Sequence, residues 1–288
     1  TDDISASDVT SLKSGRKNLI INGGFDVWQR GTSFTNVSQD EYLADRYFSG
    51  AGRVNTTVTR NTNVTVNNKV VNTLRVDATG GDTWDFYQGI EDYTTISGQE
   101  ITISLWYKTN LSGIVLRHYN TASYGSALTS DGVWHKFEAT VTLNTLVSTP
   151  RAVNGSVFGL WASGTAPSNG SYLEIAMFQL ELGSTATDFE HRSYGEELAL
   201  CQRYYQEHSY NIRFNAADAG SYIRFPTPTI QASMRAAPTT ANLTTPSVTT
   251  NASSTSSNGL YVQVFSNTTG SVRYEGGNGW QVSYDAEL

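Results

Sequence analysis

Alternation of apolar and polar residues dominates this chain. Ile101, Ile103, Leu105 and Tyr107 fall on one side of a pleated strand, and Thr102, Ser104, Trp106 and Lys108 on the other. The same period-two pattern runs through 55–60, 73–78, 134–141, 156–161 and 172–182, with Gly- and Asn-rich turns between. Asn22-Gly23-Gly24 lies between the apolar runs 19–21 and 25–28, which predicts strand–turn–strand. Helical spacing shows after Ser193. Ser193-Tyr-Gly-Glu196 reads as a capping box, and Leu198, Cys201, Tyr204 and Tyr205 form an apolar stripe behind it. Farther on, 222–228, 246–250, 260–265 and 271–274 alternate again, and 251–259 reads as a loop.

Many short strands with such spacing predict an all-β chain: a jelly-roll β-sandwich, a short helix, and a second, smaller β-sandwich. Residues 1–17 are polar and weakly periodic, a linker or the end of a stalk. The jelly roll is expected over 18–192, the connecting helix over 193–206 and the second β unit over 207–288.

At 288 residues the chain is long enough for one large core or two medium ones. A formal net charge of −7, with no Lys/Arg cluster beyond Arg16-Lys17, argues against a nucleic-acid partner. The single cysteine, Cys201, excludes an intrachain disulfide and a Cys-rich zinc site; mid-helix beside Leu200, it reads as a small buried hydrophobe. No run of about 18 apolar residues predicts a membrane helix, and no charged-then-apolar leader predicts a signal peptide. These features suit a protein made in a reducing cytosol that acts outside it.

Catalytic patterns are missing. His118, His135, His191 and His208 are scattered, with no metal-ligand spacing, no Gly-x-Ser-x-Gly and no phosphate loop. A glycosidase needs two carboxyls about 5–10 Å apart. Glu91 and Asp92 are adjacent and face opposite ways on a strand, while Asp82 and Asp85 lie in a glycine-led loop. Sugar binding needs flat aromatic faces with nearby amides and carboxylates. The stretch 80–88 offers Trp84, Asp85 and Tyr87; the stretch 118–124 offers Tyr119 and Tyr124; Trp106 and Lys108 share the polar face of their strand. With 11 Phe, 6 Trp and 16 Tyr, most other rings must be core or subunit contacts. Arg30, Asp45 and Arg46 are read as a structural ion-pair network. Arg203 and Glu197 on the helix face either a subunit axis or solvent. The Asn-x-Ser/Thr triplets at Asn36, Asn55, Asn110 and Asn267 are expected by chance in so Asn- and Thr-rich a chain.

Three stretches carry a family resemblance. Residues 18–31 (NLIINGGFDVWQRG) with Ala44-Asp-Arg-Tyr47, residues 178–193 (FQLELGSTATDFEHRS), and residues 197–205 (ELALCQRYY) together resemble the C-terminal receptor-binding region of bacteriophage tail fibres. In that family the jelly-roll domain is similar to carbohydrate-binding modules. The resemblance covers 18–206 well and 207–288 loosely. It implies a trimeric fibre tip on the virion, joined to the rest of the fibre, that attaches to host surface glycan without catalysis. It also implies a structural calcium held by a carboxylate after the Asn-Gly-x-Phe turn, here Asp26, and by acids near the closing strand, where this chain has Ala176-Met177. The alternatives are a surface-polysaccharide depolymerase, a purely structural fibre segment, and a domain of a bacterial secreted glycan-degrading protein.

Overall fold

The computed structural model describes residues 17–49, 56–78, 80, 85–90, 98–118, 123–142, 156–162, 167–210, 213–216, 222–226, 239–240, 244–245, 248–256, 259–266, 270–273 and 280–285. The chain divides into two compact units, Thr1–Glu197 with Leu288, and Leu198–Glu287.

The first unit holds eleven strands among its described residues: β1 (Ser33–Thr35), β2 (Tyr47–Ser49), β3 (Thr56–Val66), β4 (Lys69–Ala78), β5 (Asp85–Ile90), β6 (Glu100–Thr109), β7 (Ile114–His118), β8 (Ser123–Tyr124), β9 (His135–Thr142), β10 (Ser156–Ala162) and β11 (Tyr172–Leu182). They form a six-stranded sheet, β1-β3-β4-β11-β6-β9, and a five-stranded sheet, β2-β5-β10-β7-β8. Four antiparallel pairs reveal the winding: β4 with β11, β5 with β10, β6 with β9, and β7 with β8. Among these eight strands, β4 to β11, the first pairs with the last and the pairing proceeds inward, each successive pair falling in the other sheet. That folded ribbon is a jelly roll.

The alternation places the core as expected. Ile101, Ile103, Leu105 and Tyr107 of β6 are buried, as are Leu74 and Val76 of β4 and Leu173 and Ile175 of β11. From the five-stranded sheet Phe86, Ile90, Ile114 and Leu116 join the same cluster. Each such side chain contributes about 1.5–3 kcal/mol by leaving water.

The stretch 18–28 departs from expectation. Its turn forms, but the flanks join neither sheet. Side chains take the backbone partners a ladder would have used. Asn18 Oδ1 accepts from Ile20 N and Leu180 N, Gln88 bonds both N and O of Ile21, and Asn22 N donates to Glu197 at 2.6 Å. Arg192 closes this clasp, donating to the carbonyls of Ile20 and Asn18 and pairing with Glu197 at 3.1 Å. Glu197 is therefore buried, not displayed to a subunit axis or to solvent.

The helix, α1 (Tyr194–Gln202), starts with the expected capping box: Ser193 N donates to Glu196 Oε2 at 3.0 Å. It stops short of the expected 206. Arg203 N and Tyr204 N bond carbonyls three residues back, and Tyr205 begins a strand. Cys201 is fully buried.

The second unit is also all-β. Its strands are β12 (Tyr205–Tyr210), β13 (Arg213–Ala216), β14 (Tyr222–Pro226), β15 (Thr239–Thr240), β16 (Thr244–Thr245), β17 (Val248–Ser256), β18 (Gly259–Ser266), β19 (Gly270–Arg273) and β20 (Trp280–Asp285). They form antiparallel sheets β12-β20-β15, β13-β19 and β14-β18-β17-β16. The Ser/Asn-rich stretch read as a loop from 251 is instead the second half of β17, held by its ladder with β18. Partner strands override weak local propensity here. Among the described residues no helix is long and apolar enough to cross a membrane.

Candidate functional site

The site is built where β11 parts from β4. Their ladder ends at Ile175↔Leu74, and the register of β11 against β6 shifts between Ala176 and Gln179. Met177 sits in this bulge with φ 53°. The bulge admits the N-terminal turn: Phe178 N donates to Gly23 O at 2.9 Å, and Asn18 Nδ2 donates to Phe178 O at 3.2 Å. A Cβ on residue 23 would lie 2.1 Å from Phe178 O, so only glycine fits. Strand β3 is bulged too, between Asn61 and Val64, with Asn63 at φ 57°; Phe25 in the turn has φ 56°. Bulges re-aim side chains, and left-handed non-glycine residues concentrate at functional sites.

Two adjoining hollows open along this seam. The first, about 80 Å³, is lined by Trp106, Ser104, Lys136, Lys69, Asp188 and Phe189. The second, about 240 Å³, is lined by Asp26, Asn63, Asn72, His191 and Phe189. Met177 and Phe189 line both. Beneath them lies an apolar patch separate from the main core: Val66, Val71, Ala176 and Met177, with Trp106, Trp134 and Phe189 packed on it. His191 meets Phe189 edge-on at 5.1 Å. Lys136 pairs with Glu138, whereas Lys69 makes no ion pair among the described residues. Half-buried aromatic rings beside amides, a carboxylate and ammonium groups match the chemistry of a polyhydroxylated ligand.

Farther along the same outer face the polar groups are committed to one another. Glu174, 3 % exposed, accepts from Thr73 Oγ1 at 2.7 Å and Asn61 Nδ2 at 3.0 Å, and lies 3.6 Å from Arg75. Arg75 also grips Asp77 at 2.7 Å and lies over the Tyr172 ring at 4.3 Å. Its pKa is raised, first by the Asp77 hydrogen bond.

The calcium expected at Asp26 would find one carboxylate in this hollow. That carboxylate accepts from the Asn72 amide, the other polar lining residues are Asn63 and His191, and no three His, Cys, Asp or Glu gather among the described residues. Calcium needs six to eight oxygens.

Of the residues expected to face ligand, the structure brings Trp106 to a hollow. Tyr87 is a correction. It lies in β5, not in a loop, and is 2 % exposed, packed against Phe48 with ring centroids 6.0 Å apart. Asp85 is likewise a strand residue, opposite Trp161 on β10. Tyr124 lies in β8, opposite Leu116. Trp84 and Tyr119 lie outside the described residues. Phe189, Lys69 and Asn72 are not singled out by sequence.

Asp45 and its neighbours are structural. Asp45 accepts from Gln29 N at 2.6 Å and Gln29 Nε2 at 2.8 Å and lies 3.7 Å from Arg30. Burial pushes its carboxyl above the ordinary value, against those bonds and the Arg30 charge. Arg46 turns instead to the Gly89 carbonyl at 2.9 Å.

No protein-family model matches this chain. No curated protein matches it either. Solved structures resemble it weakly. A putative sugar binding protein from Bacteroides thetaiotaomicron has 13% identity and a TM-score of 0.38, over 58% of this chain and 100% of that one. A xylan-binding domain, CBM22-1 of Paenibacillus barcinonensis Xyn10C, has 11% identity and a TM-score of 0.34, over 54% of this chain and 94% of that one. The enzymatically active domain of tailspike protein 4 from bacteriophage CBA120 has 12% identity and a TM-score of 0.35, over 58% of this chain; the chain spans only 21% of that structure. Likeness at this level is no measure of ligand or activity.

Proposed function

We propose that this chain binds bacterial surface glycan without cleaving it, as the receptor-binding end of a phage tail fibre. The observation that carries the binding reading is the Trp106 hollow, where an indole and the Phe189 ring stand beside Lys69, Asp188 and Ser104. Such a surface takes the apolar side of a sugar ring on its aromatics and the hydroxyls on its polar groups. The fibre setting and the trimer rest on the resemblance in 18–31, 178–193 and 197–205. Three copies of a modest site gain avidity without strong single-site affinity. Trp84, Asp85, Tyr119 and Tyr124 remain proposed contacts on sequence grounds alone.

Asp26 and Asp188 stand in adjoining hollows, so hydrolysis is the reading to test against. Purified chain is passed over immobilised bacterial surface polysaccharide, and both retention and release of reducing ends are measured. Retention with no new reducing ends is the expected result. New reducing ends, lost on Asp26→Asn or Asp188→Asn, would make the protein a depolymerase. Neither retention nor cleavage would leave a structural fibre segment. Light scattering should give three times the chain mass.

A further inference from the structure

We propose that the hollow beside Asp26 is a saccharide subsite in its own right, taking an uncharged sugar residue next to the one held at Trp106. The ligand is then at least a disaccharide laid across Phe189. This rests on the glycan-binding reading of the Trp106 hollow.

Size and chemistry support a second occupant. At about 240 Å³ this hollow is the larger of the two, and it shares the Phe189 and Met177 wall with its neighbour. Asp26 offers acceptors only, and Asn63 and Asn72 each offer a donor and an acceptor, a set suited to neighbouring hydroxyls. The Asn72 amide holds one carboxylate oxygen of Asp26. The other leans over residue 24, 2.8 Å from where a Cβ would stand, so glycine at 24 is what allows the carboxylate its place.

The backbone supplies an independent observation. Asn63 and Met177 line the hollow, both are left-handed, and each sits at a break in register on a different strand. The Met177 bulge has a structural reason, since it docks the Gly23 turn. The Asn63 bulge places a polar side chain at the hollow's rim. Charge sets the sugar class. Asp26 is the acid in this hollow, with His191 beside it, and Lys69, Lys136 and Asp188 line the other, so a carboxylated sugar residue here would face a carboxylate and neither lysine.

The test uses the intact chain on an array of neutral and uronic-acid-containing oligosaccharides of one to four residues, followed by calorimetry on the members retained. Affinity is expected to rise about tenfold from the monosaccharide to the disaccharide. Asp26→Ala is expected to cancel that gain, bringing the disaccharide to the level of the monosaccharide, with the circular dichroism of the parent and no effect of a calcium chelator. If Asp26→Ala and Asn72→Ala bind the disaccharide like the parent while Trp106→Ala does not, this inference falls and the glycan reading stands. Loss of parent binding on chelation would put a cation, not a sugar, at Asp26 and overturn it. If the parent chain retains no array member, the glycan reading itself fails.

Discussion

The outer face of the six-stranded sheet carries two stretches made from the same kinds of residue, and they are used differently. Around Glu174 the polar groups are spent on each other: Thr73, Asn61 and Arg75 converge on one carboxylate, and Arg75 adds Asp77 and the Tyr172 ring. Around Phe189 the strands separate, two hollows open, and Lys69 and Asp188 have no ion pair among the described residues. A buried carboxylate without partners costs several kcal/mol, so the first stretch must be self-sufficient. Half-exposed groups can keep water as partner until a ligand displaces it. Hydrogen-bond accounting, not residue type, separates scaffold from site.

The strongest way to break this contrast is Gly23→Ala. The new methyl meets the Phe178 carbonyl, so the turn must leave the β11 bulge and the seam loses its wall. A loss of about 4 kcal/mol or more is expected in chemical denaturation. Glu174→Ala comes next: it takes the acceptor from Thr73 and Asn61 and one of two carboxylates from Arg75, and should cost about 3 kcal/mol of stability while leaving glycan affinity of the folded protein unchanged. Trp106→Ala should do the reverse, weakening glycan binding about tenfold with a smaller change in melting temperature. Equal effects of these two variants on binding would erase the distinction.

The smallest effect sharpens it by titration. Burial raises the Asp45 carboxyl, so the folded chain holds that proton more tightly than the unfolded chain. Its contribution is most favourable at acid pH and declines as pH rises from the ordinary carboxylate value through the raised one. Asp131, exposed at its loop, is shifted down by the Val133 amide and by His135. Its contribution is complete above the ordinary value and is lost as pH falls through the lowered one. Carboxyl-detected NMR titration should show the two moving oppositely from the reference; shifts of the same sign would contradict the burial argument.

Much of the fold was legible because alternation has one period and a half-buried strand must obey it. The strand expected at 172–182 is β11 to the residue, and Trp106 lies on the polar face of β6, away from the main core, as its alternation predicts. Element ends set by partners were not legible. Nothing local says that 85–90 is a strand, since Gly80 and Gly81 before it advertise a loop, so sequence alone presents Tyr87 as an exposed ring. The site was hardest to read. Its walls come from residues 24–26, 63–72, 104–106, 136, 177 and 187–191, joined by two bulges, one of which docks the Gly23 turn by a long-range fit. The Ala176-Met177 pair looked like missing calcium ligands; in space, Met177 floors the groove.

The central claim is that glycan binds in the groove beside Phe189. It is tested most directly by calorimetry of a retained glycan with the parent chain and with a Trp106→Ala, Phe189→Ala double variant whose circular dichroism matches the parent. The account predicts saturable binding by the parent and none measurable by the variant. Undiminished binding by the folded variant, with loss instead on Trp84→Ala or Tyr119→Ala, would place the site elsewhere and contradict it.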